Sequence, residues 1–286
     1  MREDVVQLGP GNRLIGILTT PSTGAHADAP ACLLMNAGMI HRIGPHRLNV
    51  RIARALAGSG IATLRLDLSG VGDSAPAVAG KHFREQAVLD LKAAMDHLEQ
   101  RLGVRRFVVF GLCSGAANGY RLALDDQRVV GTLMFDGFSY PTFRTHLLRR
   151  WRRFRALSWR SLARKIPQWL ARKLTPTEAE SDGSEGEMGD PTREQFEEDM
   201  NRLVARGVAI YLVYSGSFLE HYNHASQIRD AFPKAAFLDK VRYDYMPDVD
   251  HTVTSLAAQD KVVGAVLEWV QSVAATRVEE HRVLSG

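Results

Sequence analysis

A chain of 286 residues, 45% of them hydrophobic, is long enough to bury a full core, either as one large α/β domain with an insertion or as two small domains. No run of about 18 apolar residues occurs, and Met1-Arg-Glu-Asp-Val5 lacks the apolar centre of a signal peptide, so neither a membrane span nor a secretory leader is expected. A net charge of +4 is too mild to suggest nucleic-acid binding, and two cysteines in separate settings suggest no structural disulfide. A reducing cytoplasm is the expected location.

In chain order, Val5 to Leu8 and Arg13 to Thr20 flank Gly9-Pro-Gly-Asn12 and read as a β-hairpin. After a polar loop from Pro21 to Pro30, the apolar run Ala31 to Met35 has the length of a buried strand. It ends in Asn36-Ala-Gly-Met39. Asn49 to Leu56 shows helical spacing and closes at Gly58 and Gly60. Ile61 to Leu68 is a further strand, running into Asp67-Leu-Ser-Gly-Val-Gly-Asp-Ser74. The spacing predicts a long helix over His82 to Leu102, with an apolar stripe through Ala87, Leu91, Ala94 and Leu98.

The next stretch organises the rest. An apolar run, Phe107 to Phe110, meets Gly111, then Cys113, then Gly115, and the composition turns helical from Ala116 to Leu124. Strand, sharp turn and helix follow one another here. A nucleophile-type side chain stands at the apex, and the flanking glycines let the turn close. Val129 to Phe135 is another strand, ending at Asp136-Gly137. Beyond a break come a strand at Val208 to Tyr214, a short helix at His224 to Phe232, a strand at Val241 to Tyr245, and a closing helix from Leu256 to Val273. The residues after Ala275 read as a polar, frayed tail. Strands alternating with helices at this spacing imply a mostly parallel, doubly wound sheet.

The Gly-Leu-Cys-Ser-Gly turn resembles the nucleophile elbow of the α/β-hydrolase superfamily, with cysteine where most members carry serine. Asp67-x-x-Gly70-x-Gly72-x-Ser74 is similar to that family's turn after its fourth strand. Asn36-Ala-Gly-Met39 falls where the family supplies half of its oxyanion hole, and Asp250-His-Thr252 resembles its catalytic-histidine turn. The likeness runs from about Val5 to Val273 with one interruption. It implies an α/β-hydrolase fold. Within the superfamily it looks most like hydrolase paralogues associated with exosortase and natural-product gene clusters.

The resemblance also implies a triad. Cys113 is the expected nucleophile and His251 its base. The orienting acid is left open, because the family's usual place, three residues after Gly216, is occupied by Leu219. Glu220, one residue on, is the first choice, Asp136 the alternative, and Asp250 the third. The backbone N–H groups of Ser114 and Met39 are the expected oxyanion donors. Asn36, His41 and Arg42 lie close in sequence and are candidates for substrate contact or for holding the loop. His221 and His224 could share a helical face, but no third ligand accompanies them, so neither a metal nor another cofactor is expected.

From 139 to 206 the alternation stops, where the superfamily inserts a cap. Arg144 to Lys173 is rich in arginine, including Arg152 and Arg153, contains no acidic residue, and is interleaved with Trp151, Phe154, Leu157 and Trp159 at helical spacing. Thr177 to Asp190 reads as a flexible acidic linker, and Pro191 to Ala205 as a helix. The basic run is either a solvated face or a docking site for an acidic partner: the phosphates of CoA, an acyl carrier protein or an anionic surface.

A thiolate acyl-enzyme is itself a thioester, so exchange with an acyl-CoA or acyl-carrier thioester is nearly isoenergetic. The expected function is therefore acyl transfer from an activated ester or thioester, as a thioesterase or acyltransferase. A hydrolase fold retired to binding, or a conventional carboxylesterase, are the competing expectations.

Overall fold

A computed structural model describes residues 1–22, 29–77, 81–156 and 190–284. Eight strands form one sheet: β1 (Arg2–Leu8), β2 (Leu14–Thr20), β3 (Ala31–Leu34), β4 (Thr63–Leu66), β5 (Phe107–Leu112), β6 (Val129–Phe135), β7 (Ala209–Ser215) and β8 (Arg242–Met246). Their order is β1-β2-β4-β3-β5-β6-β7-β8. The hairpin pairs antiparallel with itself and with β4, and every other pairing is parallel. This is the α/β-hydrolase architecture expected from the sequence.

The helices are α1 (Leu48–Gly58), α2 (Phe83–Leu102), α3 (Ser114–Asp125), α4 (Phe143–Ala156), α5 (Arg193–Ala205), α6 (Gln227–Ala231) and α7 (Leu256–Leu284). Alternate side chains of the central strands feed two cores, as the two-residue period of a strand requires. Leu33, Leu64 and Val109 pack with α2, α3 and α5, whereas Leu34, Val108 and Phe110 pack with α1 and α7. The stripe through Ala87, Leu91, Ala94 and Leu98 is buried. Among the described residues, no helix is long and apolar enough to cross a membrane.

Two elements differ from expectation. Within the segment expected to be cap, α5 buries Phe196, Met200 and Leu203 in the same core as the strands, so the sheet-covering layer resumes at Arg193. Thr192 caps it: its Oγ1 accepts from Gln195 N–H at 3.2 Å while Gln195 Oε1 accepts from Thr192 N–H at 2.9 Å. At the C-terminus, α7 continues to Leu284 instead of fraying after Ala275. Residues 274–284 contain neither Gly nor Pro, so nothing in them stops the helix. The expected acidic linker, up to residue 189, and the basic run beyond Ala156 lie outside the described residues.

Candidate active site

The parallel strands end together, and the loops that leave them carry the candidate residues. At the tip of β5, Cys113 stands at φ 56°, a left-handed backbone that a non-glycine residue seldom adopts. Sterics enforce the turn. A Cβ on Gly111 would run into the carbonyl of Gly115 and the amide of Ala116, and one on Gly115 would stand 2.7 Å from the carbonyl oxygen of Asn36. The thiol is half-buried at the N-terminus of α3, where the helix dipole favours negative charge. Cys32 offers the opposite environment: complete burial pushes its thiol up to about 12, leaving it inert.

Across from the thiol stands His251. Its Nδ1 meets Asp136 Oδ2 at 2.8 Å, and the Asp136 side chain is fully buried. Asp136 Oδ1 accepts the backbone N–H of Ser215 at 2.7 Å. The remaining ring nitrogen is left to Cys113, which lies close enough to act on the charge of the imidazole. His251 is raised to about 10, first by the Asp136 hydrogen bond and then by the neighbouring Cys113, against an opposing effect of burial. Such a ring is protonated at neutral pH, which suits a thiolate–imidazolium pair.

The acid nearest the ring is therefore Asp136, not the first-choice Glu220. Glu220 is 66% exposed and faces Arg149 and Arg153 at 3.7 and 3.6 Å. The reason is topological. β6 and β7 pair with Phe135 opposite Val213, so a side chain just past β6 lies beside the end of β7 and under the histidine loop. Glu220 sits farther out, on a loop turned toward α4. Asp250 is turned away as well: it accepts Thr254 N–H at 3.0 Å.

The other candidates divide. Ser114 opens α3, so its backbone N–H has no partner within the helix. Its hydroxyl accepts Gly38 N–H at 2.6 Å, which fastens the loop carrying Met39 to the elbow. The Met39 side chain is 75% exposed. Asn36 is buried, and its side chain donates to Ile40 O at 2.8 Å and Asp67 Oδ1 at 3.1 Å and accepts Leu68 N–H at 2.9 Å. It holds the loop and is not placed to reach a substrate. Arg42 answers the fully buried carboxylate of Asp67 and reaches Asp73 at 2.8 Å, while His41 lies 3.3 Å from Asp73. The ligand atoms of His41, Asp67 and Asp73 are close enough together to share an ion, but the Arg42 guanidinium already bridges both carboxylates. Arg152 donates to Asn223 O at 3.4 Å, and Arg153 is exposed. His224 bonds Asn223 and Asp230, and His221 stacks on Phe218, so the two do not share a ligand face.

A cleft of about 780 Å³ lies at the start of α2, lined by Lys81, Arg84, Lys92 and Arg121 among others, and none of the residues around Cys113 border it. Sequence reasoning did not identify Ser215, Ser217 and Phe218. They lie in the segment where the family's usual acid was sought, and their roles arise only once β7 and the histidine loop are brought together.

The comparisons agree with the fold. A model of the family described as alpha/beta hydrolase matches residues 38–282. The chain belongs to the alpha/beta hydrolase family. Solved structures share the hydrolase fold over nearly the whole chain. An esterase from Pyrococcus furiosus is 13% identical with a TM-score of 0.59, covering 95% of this chain and 90% of its own. An alpha-beta serine hydrolase homologue from Coxiella burnetii is 14% identical with a TM-score of 0.55, covering 93% and 96%. The esterase domain of a Rhodothermus marinus protein is 15% identical with a TM-score of 0.56, covering 95% and 98%. No curated protein matches the chain.

Proposed function

We propose that this hydrolase transfers acyl groups from activated esters or thioesters through a covalent intermediate on Cys113, with His251 as acid–base and Asp136 as its orienting acid. The observation that carries the reading is the placement of His251 between the strained elbow that holds Cys113 and the buried carboxylate of Asp136, which bonds its Nδ1 at 2.8 Å. The thiolate attacks the acyl carbonyl, forming an S–C bond. The tetrahedral intermediate expels the leaving thiolate or alkoxide, which takes its proton from His251. Ser114 N–H and Met39 N–H are the donors assigned to the oxyanion, each worth about 10² to 10³ in rate. Water, an amine or a hydroxyl then attacks the acyl-enzyme while His251 accepts its proton, and the S–C bond breaks to release the acyl product and restore the Cys113 thiolate.

A thiol nucleophile favours thioester donors such as acyl-CoA or acyl-carrier substrates, because the acyl group stays activated after the first step. Exposed apolar side chains near this end of the sheet, Met39, Ile43, Phe143, Leu147 and Trp151, suit an acyl chain or the apolar part of a carrier. The arginines of α4 suit its acidic or phosphorylated part.

Mass spectrometry of the intact protein after incubation with short-chain acyl thioesters tests this. An acyl increment is expected on the native chain and none on Cys113→Ala. If no donor leaves an increment and no thioester is turned over, the covalent reading fails and a binding role takes its place. Faster turnover of nitrophenyl esters than of thioesters would favour a conventional carboxylesterase.

A further inference from the structure

The loop after β7 has been freed from supplying the triad acid, and it forms a clamp on His251 instead. Gly216 approaches so closely that a Cβ there would strike the backbone of Pro247, and its N–H donates to Val249 O at 2.9 Å. Ser217 Oγ accepts the backbone N–H of His251 at 2.7 Å. Phe218 then lies flat on the imidazole of His251, with centroids 4.6 Å apart and planes 20° apart. A tight turn, in which His221 N–H donates to Phe218 O at 2.9 Å, folds His221 back so that it too stacks on Phe218, at 4.1 Å and 15°. One benzene ring stacks with two imidazoles.

We infer that Phe218 is a positioning residue for the proposed acid–base group, fixing the plane of the His251 ring and stabilising its protonated form through its π face. The inference rests on His251 carrying the protons of the reaction proposed above. A cation is attracted to the face of an aromatic ring, more strongly where water is excluded. Two imidazoles compete for that ring, and their surroundings decide between them. His221 is held below the ordinary histidine range by burial and by Arg149 of α4, partly offset by Glu220. His251 faces Asp136 from β6 and Cys113 from the elbow, both of which favour its charge, while Asp250 beside it is bonded to Thr254. The inner imidazole therefore carries the charge and the outer one stays neutral. Ser217 holds the backbone and Asp136 holds Nδ1. Phe218 supplies the remaining restraint, against rotation out of plane.

The test uses nitrogen-15 NMR titration of His251 in the full-length Cys113→Ala protein, where the thiol contributes nothing. Phe218→Leu keeps an apolar cover but removes the π face, and Phe218→Tyr restores it. The expected result is a fall in the His251 midpoint of roughly 0.5 to 1 pH unit in Phe218→Leu, with Phe218→Tyr titrating like its parent. Thermal melting checks that all three are folded. With Cys113 present, Phe218→Leu is expected to lower kcat more than it raises KM and to move the alkaline limb down by the same amount. Equal midpoints for the phenylalanine and leucine forms would overturn the inference, as would a tyrosine form that follows leucine. Because the titration needs neither acyl donor nor thiol, it can fail while the acyl-enzyme forms, and it can succeed while no acyl-enzyme is found.

Discussion

The elbow at Cys113 and helix α4 flank the same end of the sheet, yet opposite kinds of constraint hold them. At the elbow the tightest neighbours are backbone atoms, and no side chain fits at Gly111 or Gly115. On α4 the polarity is inverted. Phe143, Leu147 and Trp151, spaced four residues apart along one face, are exposed, while Arg149 and Arg152 turn inward to Glu220 and Asn223. The elbow is set by repulsion, which is steep and tolerates no change. The helix is set by charge, which is soft and screened by salt. Substitutions at the first should therefore be costly and specific, and those at the second small and dependent on conditions.

The largest contrast is expected between two carboxylates that belong one to each region. Asp136→Asn leaves the shape intact but removes the acceptor that fixes the His251 tautomer and charge, so kcat/KM for an acyl thioester should fall about 10³- to 10⁴-fold. Glu220→Gln only loosens contacts with Arg149 and Arg153 and should stay within about twofold of the native rate. The pH profile adds a signed check. A ring raised to about 10 stabilises the folded chain fully below about 6.5, where an unfolded histidine is also protonated, and that contribution is lost as pH climbs through 10. Activity that needs the imidazolium should fall through the same upper range, and Asp136→Asn should move that limb down toward the ordinary histidine value. If Glu220→Gln produced the larger loss, the assignment of Asp136 would be wrong.

A pair of glycine substitutions sharpens the steric half of the comparison. Gly111→Ala drives a methyl group into the Gly115 carbonyl and should cost about 3 kcal/mol or more, visible as lost expression or a sharply lowered melting temperature. Gly58 ends α1 with open space around it, and Gly58→Ala should stabilise by about 0.4 to 1 kcal/mol through a less disordered unfolded state. Similar responses at the two positions would mean that close backbone approach is not what the elbow glycine provides.

What the sequence revealed follows the same division. The sheet, the elbow and the histidine turn were legible because each depends on local pattern: an apolar run, a glycine pair, a polar turn. The choice between Asp136 and Glu220 was not, because it depends on the register of β6 against β7, which neither segment encodes alone. The role of Phe218 was hidden for the same reason, since nothing in Ser215-Gly-Ser-Phe218 indicates that a histidine 33 positions later will lie beneath it. The basic run could be read as charge, but not its inward partner: Glu220, sought as the acid of the triad, is the group that faces Arg149 and Arg153.

The smallest expected effect concerns the outer face of α4. If an acidic carrier or a CoA phosphate docks there, Arg150→Glu with Arg153→Glu should raise KM for that donor by roughly three- to tenfold at low ionic strength while leaving kcat nearly unchanged. Each lost contact is an exposed charge pair, so the effect should fade as salt shortens the screening length from about 10 Å at 0.1 M to about 3 Å at 1 M. A small neutral thioester, which cannot feel the helix, should be turned over equally by both forms at any salt. Equal losses on small and carrier-bound donors would instead mean that α4 shapes the pocket, and its arginines would then belong with the elbow among the residues set by contact rather than by charge.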